Sequence, residues 1–343
     1  WQSIDKLSFI FILALGLTGV ILSFSVNENL QLINRHSVYY IFGLFVLIFL
    51  SRLDDKNIRR ISFFGFLFCV VLLFIIFLLD DEIKGANRWI RIFTFSLQPS
   101  EIIKPFFVIL SAWSISQTIN GKKYYLSISF IFFVIVASMI LFQPDIGMTI
   151  LISLTFFCQL FVAGLPIIFM FIGIIFLIVI ALCSFFIFDH VQNRINSFLG
   201  SADTYQIDLS MRTFKSGGIF GKGLGQGDLK EKLPDANSDF IFAVAGEELG
   251  FIFCLIILVI ILSIIIKTLF NVLKIQEPYK IIAISGLVCS FGLQSLINIF
   301  STLGLIPTKG MTLPYVSYGG SSMISVSILF GFLLSLTNKN NEK

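Results

Sequence analysis

The sequence is poor in histidine, and none of its cysteines form a Cys-x-x-Cys pair. There are two histidines, His36 and His190, and five scattered cysteines, so a zinc or haem site built on imidazole or paired thiolates is not expected. Charged residues are also scarce, at 13% of 343 residues, against 57% hydrophobic residues and a mean hydropathy of +0.95. This composition cannot supply the polar surface of a soluble domain and indicates a polytopic membrane protein.

Apolar runs predict about ten membrane spans. They are residues 7–25, 38–51, 61–79, 99–117, 126–142, 147–163, 167–188, 241–266, 281–303 and 318–336. A polar segment, residues 189–240, separates the seventh span from the eighth. Because hydrocarbon cannot solvate irregular backbone, this segment must lie in water or line a cavity. The sequence therefore predicts an all-α polytopic integral membrane protein, a single domain over residues 1–343, with one large loop between helices 7 and 8.

The distribution of lysine and arginine predicts the orientation of these spans. With ten spans, both termini lie on one side of the membrane. The short loops and tails of that side contain Lys6, Arg52, Lys56, Arg59, Arg60, Lys122, Lys123, Lys267, Lys274, Lys280, Lys339 and Lys343. The short loops of the other side contain Arg35, Lys84, Arg88, Arg91 and Lys309. The positive-inside rule then predicts cytoplasmic termini and places the large loop outside the cytoplasm.

Two charged residues at the start of the fourth span, Glu101 and Lys104, lie one helical turn apart and are predicted to pair. A single ionised residue at the centre of a bilayer costs roughly 2.5 to 3.5 kcal/mol on insertion scales, so such a pair should face protein or water. The pair is either a structural ion pair at the helix end or, with Arg88 nearby, the polar floor of a cavity for an anionic head group.

Two further polar segments lie at predicted span ends. In the sequence Gln143-Pro144-Asp145-Ile146-Gly147, Asp145 is expected to cap the next helix rather than to act in catalysis. The segment 304–322 contains prolines and glycines at a membrane boundary, which indicates backbone that folds back inside the protein. Both segments are therefore expected to shape a site rather than to carry its chemistry.

The large loop holds the leading candidate for chemistry, Asp239, at its end. Upstream, the alternating glycines of residues 217–227 are able to expose successive backbone N–H groups as an anion nest, although this signal is weak and the run lacks the ending of a nucleotide-binding loop. Asp239 precedes the eighth span, so its side chain is either the N-cap of that helix or a general base. The residues alone favour the cap.

Together, these motifs resemble the SEDS family (shape, elongation, division and sporulation), which are polytopic peptidoglycan glycosyltransferases. The resemblance covers nearly the whole chain. The matching motifs are Gly85-Ala86-x-Arg88-Trp89, Gln98-Pro99-Ser100-Glu101-x-x-Lys104, Gln143-Pro144-Asp145-x-Gly147, Arg194-Ile195, Tyr205-Gln206, Gly223-x-Gly225, Leu233-Pro234, Asp239-Phe240-Ile241-Phe242-Ala243, Glu247-Glu248-Leu249-Gly250 and Ser317-Tyr318-Gly319-Gly320-Ser321. The string Pro307-Thr308-Lys309-Gly310-Met311-Thr312-Leu313-Pro314 is typical of the division branch of the family.

The chain departs from the family pattern at two places. The family commonly has Glu-x-His-Thr-Asp-Phe where this chain has Asp235-Ala236-Asn237-Ser238-Asp239-Phe240, so an imidazole base at position 237 is not expected. The division branch also often has Pro-Ala-Glu where this chain has Pro99-Ser100-Glu101.

The resemblance implies that the chain polymerises lipid II and releases undecaprenyl pyrophosphate, with Asp239 as the catalytic base. A lipid II flippase and a non-catalytic division scaffold are the alternatives. The implied substrate-binding residues are Arg194, Gln206, Ser210, Lys215, Lys222 and Ser317, and the implied supporting residues are Arg88, Glu101, Lys104, Asp145, Glu247 and Glu248. Of these, Glu247 and Glu248 are expected either to anchor the return of the loop or to bind a cation. No tightly bound cofactor is expected, although a divalent cation such as Mg²⁺ or Mn²⁺ would suit the chemistry.

The resemblance also implies the partners and the location of the protein. Lipid II and the nascent glycan strand are the expected substrates, and a cognate class B penicillin-binding transpeptidase and other membrane proteins of the division machinery are the expected protein partners. Nucleic acid is not an expected partner. The expected location is the bacterial cytoplasmic (inner) membrane at the division septum.

Overall fold

The structure, a computed structural model, describes residues 5–26, 30–78, 88–92, 95–187, 192, 205–307 and 310–338. We number its helices and strands in chain order. The helices are α1 (Lys6–Val26), α2 (Leu30–Leu50), α3 (Asp55–Ile76), α4 (Pro99–Ile119), α5 (Tyr124–Phe142), α6 (Ile146–Val162), α7 (Ile168–Ile187), α8 (Tyr205–Ser216), α9 (Ile241–Val272), α10 (Pro278–Thr302) and α11 (Gly320–Leu336). A short 3-10 helix covers Lys230–Lys232.

Each of the ten predicted apolar runs coincides with a helix, so the predicted fold class is confirmed. Within the described part of the chain, seven helices are long and apolar enough to cross a membrane, and α6 and α11 are shorter apolar helices of 17 residues. Several helices extend beyond the apolar run that predicted them. For example, α2 begins at Leu30 rather than at residue 38, and α3 begins at Asp55 rather than at residue 61. An apolar run marks only the part of a helix within hydrocarbon, and the polar turns beyond it were missed.

A hairpin of two strands and a helix were not predicted. Strands β1 (Ile90–Ile92) and β2 (Phe95–Leu97) form an antiparallel hairpin that pairs Ile90 with Leu97. Helix α8 lies within the large loop and buries Leu209, Ser210 and Thr213. The strands are only three residues long, and apolar and polar residues are interspersed in α8, so none of these elements contains a long apolar run that would predict it.

The centre of the bundle is formed by α4, α10 and α11, which pack against one another. In α4 and in α10, about 72% of the most apolar 18-residue stretch is buried. The corresponding share in α3, α5 and α9 is 28%. The outer helices therefore present most of their surface to lipid, whereas the central helices are covered by protein. Polar side chains on α4 and α10 are consequently available to build an internal site.

Helix α9 is broken at Gly250, where φ is 83° and ψ is 175°. The segment 217–223 of the large loop, which we call the docking segment, lies against this break and satisfies the backbone groups that the break exposes. The four hydrogen bonds run from Lys222 N–H to Glu247 O (2.9 Å), from Gly223 N–H to Glu248 O (2.9 Å), from Phe251 N–H to Gly218 O (3.0 Å) and from Ile252 N–H to Ile219 O (3.3 Å). Hydrogen bonds between backbone groups therefore attach the loop to α9.

Replacing Gly250 with Ala is expected to destabilise this junction. A Cβ at this position would lie 2.4 Å from the N of Gly221 and 2.5 Å from the O of Ile219, and the backbone conformation is one that only glycine adopts readily. Strain of about 1–3 kcal/mol plus the clash should lower the thermal unfolding midpoint in detergent. The matched control is Gly164→Ala, which also has positive φ (80°) but open space around the added Cβ. Equal shifts for the two variants would contradict the close contact at Gly250.

Candidate active site

Asp239 lies in the turn that leads into α9. The N-cap of α9 is Phe240, not Asp239, so the alternative in which Asp239 caps the helix is wrong for this structure. The N–H of Asp239 donates to the carbonyl of Asp235 (3.1 Å), which closes the turn. The side chain is partly exposed, and a Cβ built on Gly310 would lie 3.4 Å from its Oδ2. The carboxylate therefore lies between the end of the large loop and the segment that precedes α11.

Side chains of α10 hold the backbone of Asp239 in place. Asn298 donates from its Nδ2 to the carbonyl of Asp239 (2.9 Å) and to the carbonyl of Met311 (2.6 Å). Thr302, one turn further along α10, donates to the same Asp239 carbonyl at 3.4 Å. Asn298 and Thr302 are completely buried, so these bonds are shielded from water.

The segment 310–318 forms the other wall of the site. Ser317 accepts a hydrogen bond from the N–H of Leu313 (2.8 Å) and donates to the carbonyl of Ser238 (2.5 Å). The N–H of Tyr318 donates to the carbonyl of Asn237 (2.9 Å). The sequence predicts that Ser317 binds substrate, but its buried hydroxyl is used to hold the turn that carries Asp239.

The predicted pair between Glu101 and Lys104 is present and deeply buried. The Lys104 Nζ lies 2.5 Å from Glu101 Oε2 and 2.6 Å from Gln294 Oε1, and the two charged side chains are 2% and 5% exposed. Gln294 in turn donates to the carbonyl of Thr312 at 3.1 Å. A continuous set of hydrogen bonds therefore links the ion pair on α4, through α10, to the wall of the Asp239 site.

Gln294 makes this connection from α10, and two further α10 side chains, Asn298 and Thr302, hold the backbone of Asp239. None of the three was predicted from the sequence. Gln294, Asn298 and Thr302 are spaced four residues apart, so they lie on one face of α10 and cover about 12 Å of its length. We call them the α10 polar ladder. The signal that would have found them was present, because polar side chains at helical spacing inside an otherwise apolar span normally face protein rather than lipid.

Arg88 and Asp145 meet at the start of α6, beside the hairpin. Asp145 caps α6 by accepting from the N–H of Met148 (3.2 Å), which confirms the predicted cap. Arg88 donates to the carbonyls of Gln143 (3.3 Å) and Pro144 (2.5 Å), and its Nε lies 3.9 Å from the Asp145 carboxylate. The contacts described for Arg88 thus lie on the turn before α6.

Glu247 and Glu248 anchor the large loop, as predicted. Glu247 is completely buried, and its carboxylate accepts from the N–H groups of Asp228 (3.1 Å), Leu229 (3.1 Å) and Lys230 (3.0 Å). Glu248 pairs with the buried ammonium of Lys230 at 2.5 Å. Lysines of the chain itself therefore occupy the position that a bound cation would take in the alternative role.

The structure describes partners for several N–H groups of the glycine run, and these partners are oxygen atoms of the protein. For these groups, the hypothesis of an anion nest is wrong. The N–H groups of Lys222 and Gly223 donate to the broken end of α9, and that of Gly225 donates to the hydroxyl of Ser25 at 2.8 Å. Three successive N–H groups do surround an anion, but they belong to residues 228–230 and the anion is the Glu247 carboxylate. The glycines serve close backbone contact rather than phosphate binding.

Replacing Glu247 with Ala is expected to release residues 222–232 from the bundle. Three backbone N–H groups and Lys222 would lose a charged acceptor, and each such bond contributes about 1.5–3 kcal/mol. Amide hydrogen exchange in this segment should accelerate by about tenfold or more. Glu231→Ala, an exposed position in the same loop, is the control. Unchanged exchange in the Glu247 variant would contradict the anchoring role.

The remaining candidate residues have different environments. Lys222 lies 3.0 Å from Glu247 and 3.3 Å from Asp228, and the hydrogen bond to Glu247 raises the pKa of Lys222. Ser210 is buried and donates to the carbonyl of Thr302 at 2.8 Å. The other three candidates comprise two exposed residues of α8, Gln206 and Lys215, and Arg194, which lies outside the described residues.

The described residues define the class of this protein. Membrane-length helices enclose a buried ion pair and a polar ladder, and these converge on a partly exposed aspartate at one end of the bundle. This arrangement is that of a polytopic membrane protein with a carboxylate site at the membrane surface. The chain belongs to the FtsW/RodA/SpoVE family, whose model, described as "Cell cycle protein", matches residues 3–342.

Relatives and solved structures agree with this family membership. The chain is 33% identical over 293 residues to a protein of Caulobacter vibrioides described as "Probable peptidoglycan glycosyltransferase FtsW", covering 84% of this chain and 75% of that protein. A chain from the structure "Structural coordination of polymerization and crosslinking by a peptidoglycan synthase complex" superposes with a TM-score of 0.84 at 21% identity, with full coverage of both chains. The rod shape determining protein RodA of Thermus thermophilus superposes with a TM-score of 0.74 at 23% identity, covering 100% of this chain and 99% of RodA. The resemblance drawn from the sequence motifs is thereby confirmed.

Proposed function

We propose that this protein is a peptidoglycan glycosyltransferase that joins lipid II disaccharide units into β-1,4 glycan strands in septal cell-wall synthesis. The observation that carries the proposal is the setting of Asp239. Its backbone carbonyl is fixed by Asn298 and Thr302, while the residue as a whole remains partly exposed. A partly exposed aspartate whose backbone is held in place suits a group that must meet a substrate.

The chemistry requires one base rather than two carboxylic groups. The 4-hydroxyl of the acceptor N-acetylglucosamine attacks the anomeric carbon of the donor N-acetylmuramic acid, and the bond from that carbon to the pyrophosphate oxygen breaks with inversion. Asp239 accepts the proton of the attacking hydroxyl. Because pyrophosphate is a good leaving group, charge neutralisation replaces the general acid that a glycosidase needs.

Cations of the large loop are proposed to neutralise the pyrophosphate. Lys215 on α8 is exposed, and Arg194 belongs to the same loop. Lys222 is already paired with two carboxylates and is a weaker candidate. Among the described residues, no group of three His, Cys, Asp or Glu side chains is placed to hold a metal ion. A divalent cation would suit the same chemistry, but no step is assigned to it.

The buried pair Glu101–Lys104 is proposed to support the site. It reaches the segment 310–318 through Gln294, and the ammonium of Lys104 has three N–H groups, of which two are used by Glu101 and Gln294. These hydrogen bonds hold α4 and α10 against the segment 310–318, which forms one wall of the Asp239 site.

The proposed setting is a complex in the bacterial cytoplasmic membrane. The similar fold of a chain from a peptidoglycan synthase complex supports a cognate class B penicillin-binding transpeptidase as the partner that cross-links the strands. The lysine and arginine distribution supports cytoplasmic termini and an extracytoplasmic Asp239. The Pro-Thr-Lys-Gly string and the relatives described as FtsW support a role at the division septum.

A lipid II flippase is the second candidate, because α4 and α10 carry a buried ion pair and polar side chains across part of the membrane. The two functions differ in the residues that must be retained. In cells depleted of the native protein, a polymerase requires Asp239, so Asp239→Asn should fail to restore growth. A flippase would tolerate Asp239→Asn but not removal of the Glu101–Lys104 pair. A scaffold would tolerate either change in any variant that is inserted in the membrane at the normal level.

A further inference from the structure

The turn between α8 and the 3-10 helix carries three exposed apolar side chains. Ile219, Phe220 and Leu224 are 61%, 81% and 51% exposed. They lie in the segment 217–225, which we call the glycine turn and which includes the docking segment. Large apolar side chains grouped on one exposed turn of a loop mark a surface that is covered by something else.

The glycine turn lies where the lipid-facing surface of α9 begins. The N–H of Ile252 donates to the carbonyl of Ile219 at 3.3 Å, and a Cβ on Gly250 would lie 2.5 Å from the carbonyl carbon of Phe220. From Phe251 onwards α9 exposes apolar side chains at helical spacing, at Phe251, Ile252, Leu255, Ile256, Val259, Leu262 and Ile266. Residues 251–272 cover about 33 Å, the thickness of the hydrocarbon core, so the break at Gly250 marks the membrane surface.

The other end of the glycine turn lies at the end of α1. The N–H of Gly225 donates to the hydroxyl of Ser25 (2.8 Å), and the ammonium of Lys230 donates to the carbonyl of Ser25 (2.8 Å). Phe24, directly before Ser25, is exposed, as are Ile21 and Leu17, one and two turns earlier. The glycine turn therefore joins the lipid-facing surfaces of two helices at the same membrane boundary.

We propose that Ile219, Phe220 and Leu224 insert into the lipid leaflet on the side of the large loop. The occupant is the bilayer rather than a protein, because the exposed side chains continue the lipid-facing surfaces of α1 and α9. Only side chains insert, and the backbone of the turn stays hydrogen-bonded to α9 and Ser25. The backbone groups in these bonds therefore do not enter hydrocarbon without a partner. The polar contacts of Lys222 and Lys230 lie behind the turn, on Glu247 and Glu248.

If the proposed function holds, this insertion has a consequence for catalysis. The glycine turn and Asp239 belong to the same loop, and both are fixed to the first part of α9. Holding the turn in the leaflet therefore fixes the position of the carboxylate relative to the membrane surface.

The insertion is tested by tryptophan quenching, independently of any activity. Phe220→Trp is placed in nanodiscs of phosphatidylcholine brominated near the start of the acyl chains, with no partner protein present. The signal of the native tryptophans is subtracted using the unsubstituted protein. We expect the added tryptophan to lose at least half of its fluorescence relative to non-brominated nanodiscs. Glu231→Trp, an exposed charged position of the same loop, is the control and should not be quenched.

Equal, weak quenching of both tryptophans would overturn the proposal. Protection of Phe220→Trp from aqueous iodide only after the partner transpeptidase is added would also overturn it and assign the surface to a protein. An activity measurement then separates this inference from the proposed function. Phe220→Asn should reduce turnover of lipid II in nanodiscs more than turnover in detergent, whereas failure of the wild type to make polymer would count against the proposed function and leave the quenching result intact.

Discussion

Asp239→Asn is expected to abolish glycan polymerisation without unfolding the protein. Asparagine has the same shape as aspartate, and the substitution keeps the backbone hydrogen bonds of this residue, from Asn298 and Thr302 to its carbonyl and from its own N–H to Asp235. It removes the proposed proton acceptor and leaves these bonds intact. General-base catalysis contributes about 10²–10⁴-fold, so the rate of lipid II consumption should fall by at least a hundredfold.

The matched control for this variant is Asp235→Asn, which lies in the same turn. Asp235 has a left-handed backbone (φ 55°), a conformation that asparagine also tolerates, and its backbone carbonyl would remain available to the turn. This variant should keep most of the wild-type rate. The thermal midpoint of both variants should match that of the wild type. If Asp239→Asn retained more than a tenth of the wild-type rate, Asp239 would not be the base.

Glu101→Ala is expected to produce the largest loss of stability. It would leave the Lys104 ammonium, 2% exposed, with only the Gln294 amide oxygen as a described partner. Removing one member of a buried ion pair costs about 3–5 kcal/mol, because the remaining charge stays buried without compensation. The thermal midpoint in detergent should therefore fall strongly, and polymerisation should fall with it.

The double variant Glu101→Gln/Lys104→Met separates pairing from other effects of the substitution. Both charges are then absent, so no uncompensated charge is buried, and the thermal midpoint should recover most of the loss. The reversed pair, Glu101→Lys/Lys104→Glu, should recover only part of the lost activity, because Gln294 would then have to turn its amide away from Thr312. A double variant no more stable than the single variant would contradict the pairing.

The helix bundle was predictable because a membrane span must satisfy its own backbone hydrogen bonds, which ties long apolar runs to helices. Local relations were predictable for a similar reason. Glu101 and Lys104 are three residues apart on one helix, and Asp145 directly precedes the helix that it caps, so spacing alone brings these groups together. The anchoring role of Glu247 and Glu248 was also anticipated, but their partners were not.

The parts that could not be predicted depend on contacts between distant segments. Gln294 meets Lys104 across 190 residues, and Asn298 meets Asp239 across 59 residues, and no spacing rule reveals such partners. The glycine run was misassigned for the same reason. Alternating glycines expose N–H groups in any close turn, and only the break at Gly250 shows that these groups bind protein carbonyls rather than phosphate.

Polymerisation of lipid II by this chain is best tested with purified components. The protein is incubated with lipid II, Mg²⁺ and its cognate transpeptidase, the latter blocked by a β-lactam so that the products stay linear. We expect a ladder of glycan strands that a muramidase digests, formed by the wild type and absent with Asp239→Asn. Binding of lipid II by the wild type without any polymer, or movement of lipid II across a vesicle membrane in its place, would contradict it.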